Sequence, residues 1–205
     1  MELTKYTHAC VRLESNGRTL LIDPGIWAED AALDGASDVL ITHEHFDHVD
    51  IDRLAKAGDL TIYAPAPVVE KLAEAGLTAQ TVAVGDEFEA AGFGVRAVGG
   101  LHAEIYDGLP GCANLGYVID GTLYHPGDSF FVPDGHVETL LVPLSGPWFK
   151  LAEAIDFVRA VRPLRAFPIH DAMLSDKGLA GMDNWLAMKG ETEYARIIEG
   201  DSVTL

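Results

Sequence analysis

Apolar residues in the first hundred positions alternate or cluster in short runs, which predicts strands more than long helices. Segments 2–6, 9–14 and 18–23 each have strand patterning, and Asn16-Gly17 between the last two is a hairpin signal. Residues 38–42 (DVLIT) are almost continuously apolar, the pattern of a strand covered on both faces, and 60–65 (LTIYAP) is similar. Short helical patterns over 49–57 and 66–75 separate these strands, the second stopping at Gly76. Strand patterns resume at 81–84, 93–98, 115–120, 122–125 and 138–143. Leu151, Ile155 and Val158 then fall at i, i+4 and i+7 of an amphipathic helix, and 165–170 is one more strand. Strands before and between a few helices predict an α+β domain with sheets covered by helices. No repeat, linker or low-complexity block divides the 205 residues, so one domain is expected throughout.

Composition narrows the chemistry. With 48% hydrophobic and 22% charged residues the chain can bury a core. Fourteen Lys and Arg stand against 32 Asp and Glu, a net charge of −18, and such a surface repels phosphate backbones. No nucleic acid and no membrane partner is therefore expected. The two cysteines, Cys10 and Cys112, make no disulfide framework and no C-x-x-C pair. The sequence shows no basic n-region followed by an apolar stretch, and its apolar runs fall short of a bilayer span, so a cytoplasmic location is expected.

The eight histidines are unevenly spread. Three fall in His43-Glu44-His45-Phe46-Asp47-His48, directly after the 38–42 strand, where they would sit at one sheet edge. Imidazole and carboxylate are the ligands that zinc and similar divalent ions prefer. Residues i and i+2 of an extended segment point the same way, so His43 and His45 suit one ion. Asp47 and His48 follow the turn and suit a second. One loop supplies too few ligands. His102, Asp128 and His170 each follow a strand-like segment and would gather at the same edge, with Gly127 allowing close backbone approach beside Asp128.

The motif THEHFDH, followed in order by His102, PGDS with Asp128, and PIH with His170, resembles the metallo-β-lactamase superfamily; the resemblance spans roughly residues 1–175 and includes LLIDPG at 20–25. The THACVRLE opening, the IDP, the YHPGDS and the compact length are similar to its small stand-alone metal-dependent hydrolases, including the ascorbate-6-phosphate lactonase-like group. The resemblance implies an αββα sandwich, two mixed sheets flanked by helices. It also implies two divalent metal ions: His43, His45 and His102 on the first, Asp47, His48 and His170 on the second, and Asp128 bridging. Nitrogen-rich sites place zinc first on ligand type, with manganese or iron as alternatives.

Such a site hydrolyses small molecules through a hydroxide shared by the metals, with lactone, phosphodiester and amide bonds all within its chemistry. Asp128 and His170 are the candidate catalytic residues. Asp23 is expected to fix the tautomer of a metal-bound histidine, and His8 to act behind the ligands as donor or relay. His125 is expected to be a strand side chain and His136 to be exposed. Tyr106, Leu109 and Asn114 in the 103–114 loop, and Trp148 and Phe149 in 145–150, are candidate pocket residues, with Met173 and Trp185 as lid residues. The rival is a non-catalytic or regulatory metal-binding protein on the same fold; a nuclease is disfavoured by the charge.

Overall fold

The computed structural model describes residues 1–107, 109 and 111–205. Fourteen strands form two seven-stranded sheets among the described residues. The first contains β1 (Glu2–Lys5), β2 (Val11–Ser15), β3 (Arg18–Ile22), β4 (Asp38–Leu40), β5 (Thr61–Ala64) and β6 (Gln80–Thr81) in that order, with β14 (Ser202–Thr204) beyond β1. The second runs in order from β7 (Glu87–Ala90) through β8 (Phe93–Leu101), β9 (Ala113–Ile119), β10 (Leu123–His125), β11 (Thr139–Pro143) and β12 (Arg165–Ile169) to β13 (Glu193–Tyr194).

The apolar runs have a direct structural cause. On β3, Leu20 and Ile22 point between the sheets, where they meet Tyr117, Leu141 and Ile169 of the second sheet. Leu21 points the other way, with Val39 and Ile41, onto α1 (Ile51–Lys56) and α2 (Ala66–Glu74). The second sheet turns Val118, Leu140 and Val142 outward onto α3 (Leu151–Val161) and α4 (Asp176–Lys189). Both sheets are thus covered on both faces, and the layers stack helix, sheet, sheet, helix. No helix among the described residues is long and apolar enough to cross a membrane.

Some boundaries differ from those predicted. The strand expected over 9–14 starts at Val11, because residues 6–10 make a tight turn closed by Tyr6 N–H on the Cys10 carbonyl, with His8 at φ 66°. The one expected over 81–84 leaves the sheet after Thr81, where the Asp86 carboxylate accepts the Ala83 N–H and turns the chain. The short edge strands β7, β13 and β14 and the helix α4 lie outside the predicted elements.

β3, β4 and β5 run parallel, as do β10, β11 and β12. Their C-terminal ends therefore open on one edge of the sandwich. Asp23 follows β3, the H-x-H-x-D-H loop follows β4, and His102 follows β8. Asp128, Ser145 and His170 follow β10, β11 and β12. Six chain segments far apart in sequence thereby converge.

Candidate metal centre

Two groups of ligand atoms form at this edge. His43, His45, His102 and Asp128 make one; His8, Asp47, His48 and His170 make the other, and the atoms within each group lie within 4.8 Å of one another. Asp128 sits between them. Its Oδ1 is 3.1 Å from His48 Nε2, and its Oδ2 is 3.0 Å from His170 Nε2, 3.3 Å from His102 Nε2 and 3.8 Å from His43 Nε2. Asp47 Oδ2 approaches His170 Nε2 at 3.5 Å and His8 Nε2 at 3.1 Å.

The outer nitrogens decide what the inner ones offer. His48 Nδ1–H donates to Asp23 Oδ2 at 2.7 Å, His170 Nδ1–H to the Ser145 carbonyl at 2.8 Å, and His102 Nδ1–H to the Ala103 carbonyl at 2.6 Å. Thr42 spends its hydroxyl hydrogen on Asp23 Oδ2 at 2.6 Å, so it accepts from His43 Nδ1–H at 3.0 Å. Each imidazole is thus fixed as the tautomer whose Nε2 lone pair points inward. Among the described residues no hydrogen bond reaches Nε2 of His48, His102 or His170, or Oδ1 of Asp128, although all are buried. Buried polar atoms left unpaired cost free energy unless something else satisfies them, and a set of converging lone pairs beside carboxylates is what divalent cations satisfy.

His8 is different. Its Nδ1 accepts the Ala172 N–H at 3.2 Å, which leaves Nε2–H to donate to Asp47 Oδ2. It orients a carboxylate and has no free lone pair. His125 is closed in the same sense, with Nε2–H on the Ala9 carbonyl at 2.9 Å and Nδ1 accepting the Gly127 N–H at 3.1 Å.

Electrostatics follow burial and partners. Burial and the neighbouring His48 hold His43 well below the usual imidazole range, and burial with His102 lowers His45. Burial alone would lower His48 and His170 too, but Asp128, joined by Asp23 or Asp47, outweighs it and raises both. Burial would raise Asp128, yet His48 and His170 hold its carboxyl well below the ordinary range. His8 is lowered to about 4, chiefly by burial.

A family model described as a Beta-lactamase superfamily domain matches residues 2–170. The chain belongs to the metallo-β-lactamase superfamily. Superfamily relatives include protein Rv0786c of Mycobacterium tuberculosis, 37% identical over the whole of both chains. A UPF0173 metal-dependent hydrolase of Anoxybacillus flavithermus is 31% identical over 65% of this chain and 66% of its own. Among solved structures, Igni18, a metallo hydrolase from Ignicoccus hospitalis, superposes with a TM-score of 0.77 at 20% identity, covering 98% of this chain and 97% of that one. That likeness supports the superfamily's αββα fold, in agreement with the layers described above.

The structure brings together all seven residues that the resemblance implies as ligands, with Asp23 and His8 directly behind them. The pocket residues divide. Trp148 is buried, and its indole N–H donates to Asp128 Oδ2 at 3.1 Å, a polar role that sequence reading missed. Asn114 does not line a pocket: it is fully buried, its Oδ1 accepting the Asp128 N–H at 3.0 Å and its Nδ2 donating to the Pro126 carbonyl at 2.9 Å. Phe149 is half-buried and packs beside Phe130 against the core under α3, outside the walls of the cavity over the cluster. Tyr106 is 71% exposed and stands outside the cavity walls, because the 103–107 stretch carries it outward. Met173 lines the cavity above the cluster, whereas Trp185 lies half-exposed on α4, and His136 is exposed.

Proposed function

We propose that the chain is a metal-dependent hydrolase that holds two divalent cations at this edge and cuts a lactone, phosphodiester or amide bond of a small molecule. One observation carries the proposal: three imidazoles, His48, His102 and His170, are locked by outer hydrogen bonds so that their inner lone pairs face one buried carboxylate without hydrogen-bond partners among the described residues. His43, His45 and His102 would hold one cation, Asp47, His48 and His170 the other, and Asp128 both. With five imidazoles among seven ligands, zinc ranks first. When bound, such a pair acidifies water and polarises the oxygen of the bond under attack.

The protein's own groups do the rest. Asp128 would orient the attacking water and pass its proton towards the leaving group, while the Trp148 N–H on Oδ2 holds the carboxylate in its orientation. His170 stands beside both carboxylates and keeps Asp47 and Asp128 apart. His8 holds Asp47 in place. Trp27, Pro147 and Trp148 exclude bulk water from the centre, which strengthens each polar contact there.

The test is a panel of chromogenic esters, lactones, amides and phosphodiesters assayed with added Zn²⁺ or Mn²⁺. Turnover is expected for at least one class and is abolished by chelator and by Asp128→Asn. Two equivalents of metal bound with no turnover of any class would favour the non-catalytic rival.

A further inference from the structure

We propose that the substrate carries an uncharged, apolar arm, alkyl or aryl, beside the bond that is cut. This rests on the hydrolase reading above and names the substrate class of that site. A cavity of about 290 Å³ opens directly over the cluster, and its walls away from the ligands are Trp27, Phe46, Ile105, Pro147, Trp148 and Met173. These walls are braced. Trp27 stands edge-on to His8 at 4.7 Å and to Phe46 at 5.6 Å between ring centres, and Trp148 edge-on to His102 at 5.8 Å and to Phe130 at 5.4 Å. Of the two indole N–H groups on these walls, the one on Trp148 is spent on Asp128. At the mouth, Phe46, Ile105 and Met173 are 58%, 45% and 51% exposed, an apolar rim that gains by being covered.

No Lys or Arg lines this cavity among the described residues. The cations nearby are committed elsewhere: Lys71 pairs with Glu44 at 2.8 Å, Arg53 donates to the Gly25 and Ala28 carbonyls, and Lys5 is buried against Asp171. Among the described residues, an adjoining cavity of about 530 Å³, sharing His45, His102 and Ile105, adds only Glu44 and Glu104 as further charged groups. A carboxylate or phosphate on the substrate's arm would find no partner on either side, against a chain of charge −18. A cationic arm would meet Glu44 and Glu104 only in the adjoining cavity, and on the apolar walls over the cluster it too would lose its hydration with no partner to replace it. A neutral apolar arm meets neither penalty.

Hydroxamic acids chelate metal ions whatever bond the enzyme cuts, so they probe the arm separately from the chemistry. Isothermal titration of zinc-loaded protein would compare acetohydroxamic, butyro- and hexanohydroxamic acids, phenylacetohydroxamic acid, and succinic monohydroxamic acid with its carboxylate arm. Affinity is expected to rise by up to about fourfold per added methylene until the chamber fills. The carboxylate-armed probe should bind no tighter than acetohydroxamic acid, and Phe46→Arg should reverse that order by fivefold or more. Equal affinity for every arm, or tighter binding of the carboxylate by the wild type, would overturn the substrate class and leave the metal site standing. Failure of every hydroxamate to bind would overturn both.

Discussion

The indole N–H of Trp148 donates to Asp128 Oδ2 across 3.1 Å, inside a shell where both residues are buried. The aromatic wall of the cavity and the carboxylate at its floor are therefore one unit. Trp148→Phe keeps most of the ring and removes only the donor. We expect the fold to survive and hydrolysis by the metal-loaded protein to fall by about 10- to 100-fold, the usual cost of losing a partner behind a metal ligand. Steady-state kinetics alongside circular dichroism would check this; unchanged kinetics would show the contact to be incidental.

Asp23 accepts three hydrogen bonds at once, from Thr42 N–H at 2.7 Å, Thr42 Oγ1–H at 2.6 Å and His48 Nδ1–H at 2.7 Å. Asp23→Asn replaces one accepting oxygen by an NH₂ group that faces donors. A loss of about 3 kcal/mol in urea unfolding is expected, the order associated with stranding a buried polar group. Zinc affinity should fall with it, as His48 loses the group that fixes its tautomer.

His8 sets a pH dependence for the metal-free protein. Its folded value of about 4 lies below the ordinary 6.5, so the unfolded chain binds the proton more readily and stability is lost as pH falls from about 6.5 towards 4. The gap corresponds to roughly 3 kcal/mol at 1.36 kcal/mol per unit. His43 and His45 are lowered too and act in the same direction. His48 and His170 are raised, so their contribution is present below 6.5 and is lost only as pH rises through their folded values. His8→Asn, which tolerates the left-handed backbone at φ 66°, should flatten the acid slope of urea midpoints without moving the alkaline side.

Gly25 lies against the H-x-H-x-D-H loop so closely that an added Cβ would fall 1.9 Å from the Asp47 carbonyl oxygen. Backbone cannot yield as a flexible side chain does. Gly25→Ala should displace Asp47 and His48 and weaken uptake of one cation at least tenfold, while His43, His45 and His102 still hold the other. A two-step zinc titration that becomes one-step would show it.

Much of this architecture was legible in the chain. The doubly covered strands read as continuous apolar runs because both their faces are buried, and the parallel strands carried the ligands to one edge. What escaped has physical reasons. Helix α4 buries chiefly Leu186 and contains Gly178 and Gly181, so it shows no apolar stripe. Strand β7 (EFEA) lies at an edge with only Ala90 fully buried, and β13 spans two residues. Trp148 was legible as a cavity residue, but not its bond to Asp128; Asn114 falls on β9 and turns its buried amide towards Asp128, and Phe149, whose direction tertiary packing sets, lies against the core. His8 reached its place through an Ala172 N–H that is 164 residues away, a distance no local pattern encodes.

The most direct test is anomalous diffraction from crystals of the zinc-loaded protein. Two peaks are expected, one among His43, His45 and His102 and one among Asp47, His48 and His170, with the Asp128 carboxylate between them. Density for zinc at neither position, or only at surface carboxylates remote from Asp128, would contradict the account.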